Sequence, residues 1–323
     1  MNLRLLGLCI AIAVGVASWL LTCAAWRYDR VTAGFLPLAP RRFEQLTVVT
    51  LGTAGAAEDH NRRGTSIAAG AGEEIVLVDA GRGVAEALRA ASIPVGQPAI
   101  VLLTNLLPEN TVGLDDLLAA AWLAGRRTPV RLVGPPGTAA LAKRVAAELV
   151  EGVVARSRAL GEDPTPPSFD AREVTGDWHE TLGALVLRAG ALSGGPLRAL
   201  AWRIEADGRS AVVGGTGWDG PALEAFARGA GLLLHDATHV PTPDEARAQG
   251  LAVDADRLRR EAALYTDFAE AGAIARRAGV GALVLIRLRQ PPVFDLQITS
   301  RVDDEFDGPI AIAQDGDQFS PTR

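Results

Sequence analysis

The folded part of this chain lacks cysteine. Its two cysteines, Cys9 and Cys23, both lie in the first hydrophobic stretch, so the remainder has no disulfide and no thiolate metal site. An excess of positive charge is lacking as well, because 32 Lys and Arg residues stand against 38 Asp and Glu, for a net charge of −6. Phosphate binding needs a concentrated basic surface. The charge balance therefore predicts that nucleic acid is not a partner.

Apolar residues are plentiful, at 48% of the chain, which is typical of a globular protein with a full core. Charge is absent from Leu5 to Trp26, and a helix of this length, about 33 Å, crosses a bilayer core. Trp19 and Trp26 lie toward its end, where indole rings favour the membrane interface. We expect residues 5–26 to contact the lipid bilayer. A cleavable signal peptide is the alternative, although its apolar region is normally shorter and ends at a small-residue cleavage site.

This pattern divides the chain into a transmembrane anchor over residues 1–26, a linker over 27–44, and a folded domain over 45–323 with a C-terminal extension after about residue 293. We therefore predict a single-pass membrane protein of a bacterial inner membrane. The arginines after the anchor favour a cytoplasmic domain by the positive-inside rule. A short N-terminal tail carrying Arg4 is instead the usual arrangement for export, and we expect the exported, periplasmic side.

Strand and helix patterns alternate along the folded domain, and each half has several strands followed by helices. This order predicts an α/β fold in which two sheets pack face to face with helices outside. A hairpin is expected to turn at Ala71-Gly72, and a long helix to run from Thr138 to about Leu160. The Pro-rich segment 161–177 is expected to be a loop, and the charged segment 241–260 a surface excursion.

Between about Leu46 and Pro292, several short motifs occur in the same order as the motifs of a known family. They are Leu51-Gly52-Thr53-Ala54-Gly55, Arg62-Arg63-Gly64-Thr65-Ser66, Val78-Asp79-Ala80-Gly81, the segment 126–137, Gly214-Gly215-Thr216 and Leu234-His235-Asp236-Ala237-Thr238. Together they resemble the metallo-β-lactamase superfamily, in particular its RNase Z and arylsulfatase-like branch. The resemblance implies a four-layer αββα sandwich, here preceded by one N-terminal transmembrane helix.

In that family a His-x-His-x-Asp-His loop follows a buried strand and places ligands around two zinc ions that activate a water. The resemblance aligns those ligands with Asn105, Leu107, Glu109 and Asn110. An amide is a poor zinc ligand beside imidazole, and Leu107 has no donor atom. Only Glu109 retains a group able to coordinate a metal.

The remaining ligand positions of the family also differ in this chain. The His of the second half aligns with Ser193, the bridging Asp with Gly215, and the final His with Arg287, while the additional His-Ser-Thr site begins at Tyr265. A guanidinium at Arg287 would place a positive charge where the family places a metal. The resemblance thus implies neither a metal nor another cofactor, and no catalytic residue, at these positions.

Several polar residues of the family's cleft survive. His235 and Asp236 are expected to be hydrogen-bonded to the backbone at a strand end, with acid/base work beside the old site as the alternative. Asp79 is expected to cap or brace the former metal loop. His60 lies in a loop that faces substrate in family members, and it is expected to be solvated. His239 is expected to be exposed. The possible residual cleft consists of His235, Asp236, Asp79, Tyr265 and His60.

The substituted ligands lead to the hypothesis of a pseudoenzyme. In this interpretation the chain is a non-catalytic, membrane-anchored accessory or scaffold subunit that stabilises an integral membrane protein complex. Two alternatives remain open. One is a residual or re-tooled metal-dependent hydrolase of the phosphodiesterase or RNase Z type, and the other is a small-ligand sensor that uses the emptied cleft.

Overall fold

The computed structural model describes residues 3–56, 61–192, 194, 197–216, 220–236, 238–248, 250, 254–288 and 296–323. The chain forms two compact units, Met1–Ala39 and Pro40–Arg323. The first unit contains helix α1 (Leu3–Phe35), within which Ile10–Tyr28 is long and apolar enough to cross a membrane. The helix continues well past the predicted anchor, because no proline interrupts it before Pro37. Half of the predicted linker is therefore helical.

Seven strands of the described residues form the first sheet. They are β1 (Phe43–Gly52), β2 (Ser66–Gly72), β3 (Glu74–Val78), β4 (Ile100–Leu102), β5 (Val130–Gly134), β6 (Phe169–Glu173) and, from the end of the chain, β14 (Gln318–Phe319). In space their order is β14-β1-β2-β3-β4-β5-β6. The strands from β14 to β3 pair antiparallel, and those from β3 to β6 run parallel.

The second sheet repeats this arrangement with seven described strands. They are β7 (His179–Leu182), β8 (Leu185–Leu192), β9 (Ala199–Ala206), β10 (Arg209–Val213), β11 (Leu232–Asp236), β12 (Leu283–Ile286) and β13 (Ile310–Ile312). Their spatial order is β13-β12-β11-β10-β9-β8-β7. The strands from β7 to β10 are antiparallel, and those from β10 to β13 are parallel.

Helices cover the outer faces of both sheets. The first sheet is covered by α2 (Val84–Ala90), α4 (Leu114–Leu123) and α5 (Thr138–Leu160), and the second by α6 (Gly220–Ala227), α9 (Phe268–Ala278) and α10 (Leu296–Asp303). The other helices of the described domain residues are α3 (Pro108–Thr111), α7 (Pro243–Ala248) and α8 (Ala255–Ala262). The predicted αββα sandwich is therefore confirmed.

The inner faces of the two sheets share one core. Val48 and Val76 face this core, whereas their neighbours Val49 and Leu77 face the helices, as the two-residue period of a strand requires. Trp202 is fully buried at the centre, and its ring meets that of Trp178 edge to face at 5.7 Å. Edge-to-face aromatic pairs add about 0.5–1.5 kcal/mol beyond their buried area.

Four strands were not expected, two in the middle of the chain and two near its end. β6 lies within the segment 161–177 that was predicted as a loop, and β7 lies next to it. Both are edge strands with mostly exposed or half-exposed residues, so they lack the apolar pattern that marks a buried strand. At the other end of the chain, β13 and β14 belong to the two sheets, which makes the predicted C-terminal extension part of the sandwich.

The carboxyl ends of the parallel strands meet at one edge of the sandwich. Asp79 follows β3 and Thr104 follows β4 in the first sheet, while Asp236 ends β11 and Arg287 follows β12 in the second. Hydrogen bonds cross between the sheets here, including one from the Leu200 N–H to the Thr104 carbonyl at 2.7 Å. Ligands of open α/β sheets bind outside the carboxyl ends of strands, and this edge is the candidate site.

Candidate functional site

A buried arginine with two carboxylates lies at the centre of this edge. Arg287 Nη1 donates to Asp236 Oδ1 at 2.6 Å, and Nη2 donates to Asp79 Oδ2 at 2.5 Å. Nη1 also donates to the Gly214 carbonyl at 2.8 Å. Asp79 is fully buried, and the side chains of Arg287 and Asp236 are only 3% and 2% exposed. The guanidinium thus joins both sheets inside the molecule.

The backbone is shaped to make this contact. Asp79 and Arg287 have φ angles of 60° and 53°, in the left-handed region that non-glycine residues seldom occupy. Such a conformation costs of the order of 1–3 kcal/mol and persists only where its surroundings hold it. Asp79 is held by the Thr104 N–H at 2.8 Å and by the Thr104 hydroxyl. Arg287 is held by its ion pairs with Asp79 and Asp236.

Burial governs the charge states of this group. It raises the pKa of Asp79, while Arg287 and the hydrogen bonds from Thr104 oppose the rise. Burial alone would lower the pKa of Arg287, but the carboxylates of Asp236 and Asp79 raise it instead. Arg287 therefore remains charged.

His235 lies beside this cluster, and the described hydrogen bonds of the His235 and Asp236 side chains are to other side chains and not, as expected, to the backbone. Consecutive residues of a strand point to opposite faces, so Asp236 contacts Arg287, whereas His235 Nε2 lies 3.0 Å from the Thr266 hydroxyl. Nδ1 has no partner among the described residues. Burial lowers the pKa of His235 to about 4, and the imidazole is neutral at neutral pH.

The former metal loop is closed by its own amides. Asn105 Oδ1 accepts hydrogen bonds from the Leu107 N–H at 2.9 Å and from Asn110 Nδ2 at 2.8 Å. Asn105 and Asn110 are buried, while Leu107 and Glu109 are half-buried. The substitutions therefore form an internal hydrogen-bonded turn that holds the loop.

Gly215, at the position of the family's bridging Asp, is surrounded by backbone. A Cβ added there would lie 2.7 Å from the Leu200 carbonyl oxygen, a contact that side chains do not make. The backbone therefore has no room for an aspartate at this position. Tyr265 immediately precedes Thr266, the partner of His235, whereas Ser193 and His60 lie outside the described residues.

The residues at this edge do not fit the family's two-zinc centre. Among the residues that the structure describes, no group of three or more His, Cys, Asp or Glu side chains is placed to hold a metal. The two carboxylates present, Asp79 and Asp236, are already bound to a guanidinium. Asn105 and Asn110 offer amides that hydrogen-bond to one another, and zinc prefers imidazole, thiolate and carboxylate.

A second histidine lies at the surface near this edge. His239 Nδ1 is 3.0 Å from Asp267 Oδ2, and Nε2 is 3.6 Å from Glu245 Oε2. Asp267 is also the N-cap of α9, where its other oxygen accepts the Ala269 N–H. The imidazole is 32% exposed, so His239, which was expected to be exposed, is partly exposed. The N-cap position of Asp267 marks a helix start, but no local sequence signal identifies His239 as its partner.

Comparisons with known proteins agree with the fold. No protein-family profile matches the chain. A Mycobacterium marinum protein named Ribonuclease Z is 31% identical over 257 residues, which cover 74% of this chain and 85% of that relative. The metallo-beta-lactamase fold protein YhfI from Bacillus subtilis is 18% identical with a TM-score of 0.65, over 86% of this chain and 99% of that one. Human tRNase Z, short form, is 18% identical with a TM-score of 0.61, over 86% and 100%.

The comparisons contradict the prediction that nucleic acid is not a partner. The Mycobacterium marinum relative is named for the cleavage of RNA, and the human neighbour is named for tRNA. Net charge was a poor guide because it is summed over the whole chain and does not show where basic side chains cluster.

The prediction of a non-catalytic scaffold is wrong on the same ground. Relatives named Ribonuclease Z point to a hydrolase, which was the stated alternative. That prediction relied on substitutions at single positions and gave too little weight to similarity along most of the chain. The comparisons also give no support to a membrane protein complex as the partner.

The predicted resemblance itself is confirmed. The identity of 31% extends over 74% of the chain and 85% of the relative, and the two-sheet sandwich is the fold of the structural neighbours. The chain belongs to the ribonuclease Z family of the metallo-β-lactamase superfamily.

Proposed function

We propose that the chain is a hydrolase of phosphodiester bonds whose substrate class is RNA. The observation that carries this proposal is its 31% identity to a protein named Ribonuclease Z over 74% of the chain. The residues described at the strand ends do not fit the family's zinc pair, so the proposed chemistry relies on the chain's own side chains.

His239 is the residue best placed for proton transfer. A general base must be accessible and held in a fixed tautomer, and the Asp267 carboxylate at 3.0 Å from Nδ1 orients the ring. Nε2 is then the nitrogen left as the acceptor, because Glu245 at 3.6 Å is beyond hydrogen-bonding distance. His235 is unsuited to this role because it is only 2% exposed.

A cation for the phosphate lies next to this histidine. Arg301, an exposed residue of α10, has Nη1 at 3.3 Å from His239 Nδ1. With Nδ1 protonated toward Asp267, this is a close approach and not a hydrogen bond. A guanidinium can bind two phosphate oxygens at once. A phosphodiester bound to Arg301 would therefore lie beside His239, where an attacking water could transfer a proton to Nε2 as its oxygen bonds to phosphorus. The P–O bond to the leaving sugar oxygen would break, and that oxygen would take a proton from solvent.

The test uses the purified full-length chain with a tRNA transcript that carries a 3′ extension. The substitution His239→Gln should lower kcat by about 10²- to 10⁴-fold, the usual contribution of a general base. The matched control is His179→Gln, on the exposed strand β7, which should leave turnover unchanged. Wild-type turnover no greater than that of His239→Gln would refute the proposal.

We further propose that α1 anchors the protein in a membrane. Helix length and apolar composition over Ile10–Tyr28 support the anchor, and a cleaved signal sequence is the competing outcome. Alkaline carbonate extraction should leave the full-length chain in the membrane pellet, with the N-terminal helix present by mass spectrometry. Recovery of a shortened chain in the supernatant would exclude the anchor.

The side of the membrane on which the folded domain lies determines whether it can meet cytoplasmic RNA. An exported domain, as predicted above, would be separated from cytoplasmic transcripts, whereas the arginines after the helix favour the cytoplasmic side. Protease treatment of spheroplasts distinguishes the two orientations, because an exported domain is digested and a cytoplasmic domain is protected. Digestion would weigh against an RNA substrate.

A further inference from the structure

We infer that Arg287 is the resident cation of this site and takes the place that divalent metal ions hold in the family. The guanidinium is the shared counter-ion of Asp79 and Asp236 and joins the two sheets. The site is thereby closed to zinc or manganese. This inference does not depend on the proposed RNA cleavage.

The first argument is geometric. Arg287 follows β12 of the second sheet, and Asp79 follows β3 of the first, 208 residues earlier in the chain. The two ends of the guanidinium contact different carboxylates, at 2.6 Å and 2.5 Å. A planar group with several donors is suited to such a double contact, which a lysine could not make.

The second argument concerns charge. Carboxylates that are buried need a counter-charge, since an unpaired buried charge is strongly destabilising. Asp79 and Asp236 have Arg287 as that counter-charge. A divalent cation entering the same space would have to displace the guanidinium or lie against it, and like charges at such distances repel strongly.

The third argument is that the surrounding groups leave no room for ligands. Asn105 and Asn110 hydrogen-bond to each other at 2.8 Å. At Gly215, a Cβ would lie 2.7 Å from the Leu200 carbonyl oxygen. The substitutions at these positions are therefore mutually consistent, and together they form a closed edge with an internal cation.

The test begins with the wild-type full-length chain. Elemental analysis after purification should find no stoichiometric zinc, manganese or iron. Adding zinc chloride, manganese chloride or EDTA should leave the Tm unchanged, whereas a divalent ion at a hundredfold excess over its Kd would raise it by about 5 °C. Stoichiometric metal, or a Tm lowered by EDTA, would overturn the inference.

A pair of variants then tests the role of the cation. Arg287→Met leaves both carboxylates buried without their counter-ion, and its Tm should fall by about 6–10 °C. Arg277 is the matched control because it also contacts two carboxylates, Glu224 and Glu270, both at 2.8 Å, but its side chain is 41% exposed. Arg277→Met should lower the Tm by no more than about 2 °C.

Equal Tm losses in the two variants would contradict the role assigned to Arg287. If Arg287→Met does not fold, the wild-type metal measurements still decide, since they need no variant. The two proposals also fail separately. Absence of RNA cleavage refutes the proposed function and leaves the Tm results in force, whereas stabilisation of the wild type by metal overturns the resident cation and leaves cleavage to be measured.

Discussion

Arg277 and Arg287 have the same local chemistry in different surroundings. Each guanidinium contacts two carboxylates, but the side chain of Arg277 is 41% exposed, and that of Arg287 is 3% exposed. At the surface, water replaces most of what a broken ion pair loses. In the interior, a partner left alone keeps an uncompensated charge. The comparison teaches that burial, more than the number of ion pairs, decides which arginine the fold depends on.

The largest expected effect comes from removing one carboxylate from each group. Asp236→Asn should lower the free energy of unfolding by about 3–5 kcal/mol, because it breaks a buried ion pair. Glu224→Gln, at the exposed Arg277, should change it by less than about 1 kcal/mol. Urea unfolding of both variants checks the contrast, and similar losses would show that burial is not the deciding factor.

A somewhat smaller effect on the free energy of unfolding is expected when His235 titrates. Burial lowers the pKa of His235 to about 4 from 6.5, so the unfolded chain binds a proton more readily than the folded one. Stability is therefore lost as pH falls from 6.5 to about 4, by about 3 kcal/mol. His235→Gln keeps a partner for Thr266 without titrating, and it should remove this part of the loss.

The measurement is the difference between urea unfolding of the wild type and of His235→Gln at several pH values. Asp79 acts in the opposite sense, because its raised pKa gives stability at low pH that is lost as pH rises. Its contribution is present in both proteins and cancels in the difference. Parallel pH profiles for the two proteins would show that His235 is not the group responsible.

The smallest expected effect comes from adding one methyl group, either at the crowded Gly215 or at Gly96, where there is space. Gly215→Ala places its Cβ 2.7 Å from the Leu200 carbonyl oxygen, and the strain should cost about 1–3 kcal/mol. Gly96→Ala has nothing within 4 Å of its Cβ, and it should change stability by less than about 0.5 kcal/mol. Thermal unfolding measures both. A neutral Gly215→Ala would mean that this backbone yields easily.

Much of the fold could be predicted from local patterns. The hairpin at Ala71-Gly72 lies between β2 and β3, and the helix expected from Thr138 to Leu160 has those bounds. Apolar periods and turn residues act over a few positions, so a sequence displays them directly. The edge strands β6 and β7 were missed because they are largely exposed on one or both faces.

The site could be predicted only in part. Asn105, Gly215 and Arg287 were recognised as substituted ligand positions, but nothing local indicated that Arg287 would contact Asp79, 208 residues away. The pair of His239 and Asp267 was missed for the same reason, since it joins a loop to the start of α9. Contacts of this kind are created by the packing of the sheets.

The last two strands have a consequence for biosynthesis. β13 and β14 add an outer strand to each sheet, and Asp315 between them accepts hydrogen bonds from the Thr53 and Arg63 N–H groups near the start of the domain. Both sheets therefore keep an open, unpaired edge until residues 310–319 have been synthesised, and such edges promote association between chains. If the first helix has already entered a bilayer, neighbouring nascent chains would be held close together during that interval. Their unpaired sheet edges would then be able to associate.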